Sequence, residues 1–173
     1  MCIATIIGFI FLPVALMVGI GNAFPAMIDP PCVIIVLGGT MAALFISFPL
    51  KDIIDLPLNC LGYAIVPPKE RNATIDYRLS VGIEFYRRAG TYAFAVGWLG
   101  VLIGIVIMSR HSADMSLDDF GAGLSIATLP ALYGTVISYL FCLPIRTKLA
   151  RIQEELATPV SYTHLTLPTK RIV

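Results

Sequence analysis

From Cys32 to Phe48 the chain carries no Asp, Glu, Lys, Arg or His, and the run is bracketed by Pro31 before it and by Pro49 and Lys51 after it. Wound as a helix at about 1.5 Å per residue, Pro31–Leu50 reaches roughly 30 Å, the thickness of a bilayer's hydrocarbon core. Gly38 and Gly39, followed by Thr40, Ala42 and Ala43, give this helix a small-residue surface. In lipid, helices hold together through close backbone approach, so the stretch is expected to be a membrane helix packed on another membrane helix.

Composition extends the argument to the whole chain. Hydrophobic residues make up 57% and charged residues 13%, with a mean hydropathy of +0.85. A water-soluble domain of this length needs far more charge to cover its surface. The net charge is +1, and no basic run is interleaved with aromatics, so nucleic acid is not an expected partner. Cys2, Cys32, Cys60 and Cys142 show no CxxC spacing and the two histidines are far apart, so neither a metal site nor a disulfide framework is indicated. No nucleophile–base pair is visible; neither an enzyme nor a cofactor is expected.

Four apolar runs give an all-α integral membrane protein with four transmembrane helices, over about residues 2–21, 31–50, 89–108 and 120–143. The first two form a hairpin over 1–50 and the last two a second hairpin over 89–156, whose final helix extends into the cytoplasm. Pro13 interrupts the first span, and Pro67–Pro68 breaks the hydrophilic segment 51–88 in two. Ile53–Val66 is expected on the membrane surface, with Asn72–Arg88 as a helix feeding the third span. Lys51, Lys69, Arg71, Arg78, Arg87 and Arg88 place segment 51–88 inside the cell. Arg146, Lys148 and Arg151 after the fourth span do the same for the C-terminal side, so both termini are expected to be cytoplasmic. The loop with Asp114, Asp118 and Asp119 is then external. Residues 157–173, rich in Thr and Pro and without helical periodicity, read as a disordered or non-native tail.

None of the four spans contains a charged side chain or a histidine. A charge at mid-bilayer costs about 2.5–3.5 kcal/mol, so it is kept only for a purpose. A self-contained proton relay is therefore not expected; an ion path here needs its titratable group from a partner. The fourth span does carry Gly121, Ser125, Thr128, Thr135, Ser138 and Cys142 at steps of three, four and seven, which we read as one helical face. Ser125, Thr128, Thr135 and Ser138 are the ion-path candidates; the alternative is that hydroxyls and small residues cement a helix pair. Pro130 beside them frees a backbone carbonyl near Ile126, which a wet face would tolerate. Gly97, Gly100 and Gly104 in the third span are expected packing positions. Trp98, Tyr133 and Tyr139 are expected to serve packing rather than gating.

Asp29–Leu50, with Pro-Pro leading into Ile-Ile-Val-Leu-Gly-Gly-Thr and then Ala-Leu-Phe-Ile-Ser-Phe-Pro-Leu-Lys, resembles the first-hairpin region of MotA-type flagellar stator subunits, within the MotA/TolQ/ExbB proton-channel family. Leu132-Tyr133-Gly134 followed by Leu143-Pro144-Ile145 is similar to that family's last helix. Tyr92-Ala93 with Ala95, Gly97, Gly100 and Gly104 resembles its third. The resemblance implies a multi-pass protein of the bacterial inner membrane, a homopentamer around a single-span, Asp-bearing MotB/ExbD-like subunit. Passage of H⁺ or Na⁺ on the partner's Asp drives a mechanical load. It also implies that Gly38, Gly39, Tyr133, Gly134 and Pro144 serve helix packing. Phe94, Val101, Pro130 and Ala131 depart from the family pattern, and the cytoplasmic segment is much shorter than in relatives. A non-conducting scaffold for a single-span partner, or a truncated stator homologue, remain alternatives.

Overall fold

The structure, a computed structural model, describes residues 3–21, 25, 27–68, 72–110 and 116–157. The tail from 158 onward, Lys69, Glu70 and Arg71 of the hydrophilic segment, and His111 and Asp114 of the loop expected to be external lie outside the described residues. All regular elements among the described residues are helical: α1 (Ile3–Ile20), α2 (Pro30–Ser47), α3 (Leu50–Ile65), α4 (Ala73–Arg110), α5 (Leu117–Thr135), a π-helical segment (Val136–Cys142) and α6 (Leu143–Ala157). Among the described residues three helices are long and apolar enough to cross a membrane: Pro30–Ser47, Ala73–Arg110 and Leu117–Ala157. The last comprises α5, the π segment and α6 without a break. α1 has 18 residues, with Pro13 inside it; its principal contact is with α3.

The start of α2 follows from its side chains. Asp29 caps it by accepting the Cys32 N–H at 3.1 Å. Pro30 and Pro31 occupy first-turn positions, where a missing N–H costs nothing. α2 ends at Ser47, short of the expected Leu50. Phe48 precedes a proline and is pushed into extended backbone (φ −133°, ψ 149°). Pro49 then takes the N-cap position of α3, which begins at Leu50, the last residue of the expected span.

α3 buries Ile53, Leu56, Cys60 and Ala64, one face at helical spacing. It lies against α4 and α6. α4 has 38 residues, about 57 Å of helix and far more than a bilayer's core. Its first turns, carrying Asp76, Arg78, Glu84, Arg87 and Arg88, therefore extend beyond the apolar stretch that begins at Ala89. There Leu79 and Phe85 join Ile53, Leu56 and Cys60 of α3 and Ile145, Leu149 and Ile152 of α6 in the main side-chain core. The Tyr86 hydroxyl donates to the Pro57 carbonyl at 3.0 Å, fastening α4 to α3.

Candidate functional site

The apolar halves of α4 and α5 meet backbone to backbone. A Cβ added at Gly97 would stand 2.6 Å from the Pro130 carbonyl oxygen and 3.2 Å from the Gly134 Cα. One added at Gly100 would meet the Pro130 Cβ at 2.6 Å, and one at Gly104 the Ala127 Cβ at 2.8 Å. Gly134 in turn abuts the Ala93 carbonyl. On α2, Gly39 faces Val96 of α4, where an added Cβ would lie 2.7 Å from a methyl carbon. Gly38 faces open space, and Pro144 is exposed.

Pro130 is buried in this seam. Its ring leaves the carbonyl four residues back, that of Ile126, without a helical donor. That carbonyl accepts the Cys32 thiol from α2 at 3.9 Å, a weak S–H···O bond. The sequence signals the orphan through the proline; the donor, 94 positions away, carries no sequence signal and Cys32 reads as mere packing. Tyr133 is a second tie between α5 and the start of α2. Its hydroxyl donates to the Met27 carbonyl and accepts the Asp29 N–H, the latter at 3.1 Å.

Ser125, Thr128 and Thr135 line one groove of about 620 Å³, with Met27, Leu129 and Leu132. The hydroxyls turn back on their own helix: Ser125 donates to the Gly121 carbonyl at 3.0 Å and Thr128 to the Ser125 carbonyl at 2.8 Å. Back-bonding uses the donor and leaves oxygen lone pairs facing the groove. Ser138 lies elsewhere. It lines a second groove of about 300 Å³ with Arg87, Thr91, Phe94, Tyr139 and Arg146, and an added Cβ on Gly90 would come 3.2 Å from its hydroxyl oxygen.

Helical arithmetic explains why the four candidates divide. A step of three residues falls about 60° short of a full turn and a step of seven about 20° short. From Ser125 to Ser138 the shortfalls accumulate to about 140°, and the wider π turn over Val136–Cys142 adds to them. A periodicity that looks straight in sequence is a spiral on the helix. Around the second groove, Phe94 packs edge-on against Tyr139 (5.8 Å) and Trp98 (6.3 Å).

Charge gathers where α4 leaves the apolar region. Glu84 pairs with Arg87 and Arg88, each at 2.6 Å, and these bonds hold its carboxyl down at about 2. Arg88 also stands over the Phe48 ring, 6.0 Å from its centroid. Among the described residues no group of three His, Cys, Asp or Glu could hold a metal ion.

Residues 69–161 match the MotA/TolQ/ExbB proton channel family. The chain is 24% identical to Motility protein A of Aquifex aeolicus (strain VF5), over 89% of this chain and 84% of that protein. It is 25% identical to Motility protein A of Bacillus subtilis (strain 168), over 85% and 76% respectively. The Aquifex alignment runs over 215 residues, more than the 173 of this chain, so that relative has residues without counterpart here. The fold is similar to a chain of the flagellar MotAB stator complex from Bacillus subtilis, with a TM-score of 0.75 and 22% identity over 88% of this chain and 83% of that one.

Proposed function

The chain belongs to the MotA/TolQ/ExbB proton channel family, and from that premise we propose that it is a MotA-like wall subunit of an ion-driven membrane motor. In this reading α1 is a fourth span, both termini are cytoplasmic, and copies of the chain surround a single-span partner in the bacterial inner membrane. A homopentamer is the expected assembly. The partner's Asp carries H⁺ or Na⁺, and each charge crossing 100 mV releases about 2.3 kcal/mol. The relative that forms a stator does so as a MotAB complex, and this supports a MotB-like partner here.

One observation carries the reading: a groove of hydroxyl oxygens on an acid-free span, backed by a glycine-tight seam. Ser125, Thr128 and Thr135 offer lone pairs to a passing ion or protonated carboxyl but no group able to bind or release the ion alone. The seam keeps α4 and α5 in register while a partner moves past them.

The test is co-reconstitution with an Asp-bearing single-span partner in liposomes, reading proton and sodium flux. Thr128→Val is expected to lower flux roughly fivefold, the scale of one hydrogen bond of about 1 kcal/mol, with assembly unchanged. Flux at the wild-type level in that variant removes the groove's role. A scaffold without conduction is the second reading, favoured by Pro130 and Ala131 standing where the family pattern differs. Stable assembly with no flux in the unmodified complex would establish it.

A further inference from the structure

The second groove has a polar rim and an apolar floor. Arg87 and Arg146 stand on its rim, Thr91 and Ser138 lie below them, and Phe94 and Tyr139 line it with their rings. Along α4 the step from Arg87 to Phe94 is seven residues, about 10 Å of descent. Arg87 and Arg146 belong to different helices but to the same end of the apolar region, one just before Ala89 and the other just after Leu143. Glu84 is the acid bonded to this cluster, and it is shared between Arg87 and Arg88. Arg146 has no ion-pair partner among the described residues. Arg87 gives its Nε and Nη2 to the Glu84 carboxylate, at 2.7 and 2.6 Å, so of the two guanidiniums lining the groove Arg146 leaves the rim with one uncompensated positive charge.

We propose that this groove binds the phosphodiester headgroup of an anionic phospholipid, with an acyl chain lying along Phe94 and Tyr139. Guanidinium forks match phosphate oxygens in pairs, which an ammonium cannot do. Basic pockets between spans at the membrane surface take anionic headgroups for the same reason. A free phosphate would use the rim alone and leave the aromatic floor bare, whereas an amphiphile uses both. The proposal rests on the membrane placement given above, with Ala89 and Leu143 at the same membrane surface, but not on ion conduction.

Trp98 is the single tryptophan of the chain, and it touches Phe94 on the side away from Arg87. Its fluorescence therefore reports acyl chains near the groove's deep end. The full chain is reconstituted in phosphatidylcholine bilayers, and quenching is compared for added phosphatidylglycerol or phosphatidylcholine carrying bromine in mid-chain. Brominated phosphatidylglycerol is expected to quench at about tenfold lower mole fraction, the scale of one charge-assisted contact. Arg146→Gln is expected to abolish that preference, Arg146→Lys to keep part of it, and Arg110→Gln, at the far end of α4, to leave it intact.

Equal quenching by both lipids overturns the proposal, as does a preference that survives Arg146→Gln or vanishes in Arg110→Gln. Loss of the preference on adding inorganic phosphate assigns the rim to a free anion instead. Loss on co-assembly with a single-span partner assigns the groove to that protein. Ion flux is not read in this assay, so either outcome leaves the conduction experiment to decide its own question.

Discussion

The two ends of the α4–α5/α6 pair are packed by opposite means. Beyond the apolar stretch, Leu79, Leu149 and Cys60 are completely buried, and bulky side chains from three helices fill the space between backbones. Within the apolar stretch, Gly97, Gly100, Gly104 and Gly134 bring the backbones together with almost no side chain between them. The solvent accounts for the difference. Where water surrounds the helices, removing leucine from it is itself the driving force. Where lipid surrounds them, a leucine gains little by moving from tail to partner, and close backbone contact supplies the attraction. One helix pair thus obeys two packing rules, and the rule changes near Ala89.

Gly97→Val should test the contrast most severely. Its added carbons meet the Pro130 carbonyl and the Gly134 backbone, which cannot swing aside, and overpacking of this kind costs about 3 kcal/mol or more. We expect loss of a monodisperse species in detergent by size exclusion, whereas Gly38→Ala, in open space, leaves it unchanged. A monodisperse Gly97→Val protein would refute the backbone seam. Leu149→Ala comes next, with an expected loss of about 2–5 kcal/mol in denaturant-induced unfolding; a similar loss from truncating the exposed Leu102 would erase the distinction between the regions. Cys32→Val removes the donor to the Ile126 carbonyl and is expected to cost about 1 kcal/mol, read as a lower melting temperature. Cys32→Val combined with Pro130→Ala restores the helical bond and should recover it.

Smallest is the acid response. Glu84 has its carboxyl depressed from the ordinary 4.5 to about 2. Its contribution is therefore complete above about pH 4.5 and lost as pH falls toward 2. With the Glu84 side chain 36% exposed, solvent screening keeps the effect slight. Glu84→Gln should flatten the small fall in melting temperature across that window and lower the melting temperature slightly at pH 7, where the ionised carboxylate contributes in full.

Much of the helix order follows from the apolar runs alone, including the fusion of Asn72–Arg88 with the third span. The misplaced C-terminal end of α2 was equally legible, since Pro49 forces Phe48 out of the helix. What periodicity could not convey was curvature around the helix. Ser125 and Ser138 share a pattern of steps yet line different grooves, because small shortfalls accumulate and a π turn leaves no mark on composition. Long-range polar partners were likewise silent: nothing near Cys32 announces Ile126, and nothing near Tyr133 announces Met27.

That last bond sets an order of events during synthesis. Tyr133 trails the Met27 carbonyl by 106 positions. Ribosomes add about 5–20 residues per second, so the first two helices emerge roughly 5–20 s before their latch exists. Until then the Met27 carbonyl and the Asp29 amide must be hydrated at the bilayer surface. The N-terminal half is committed to the membrane first and is fastened only when the last helix arrives.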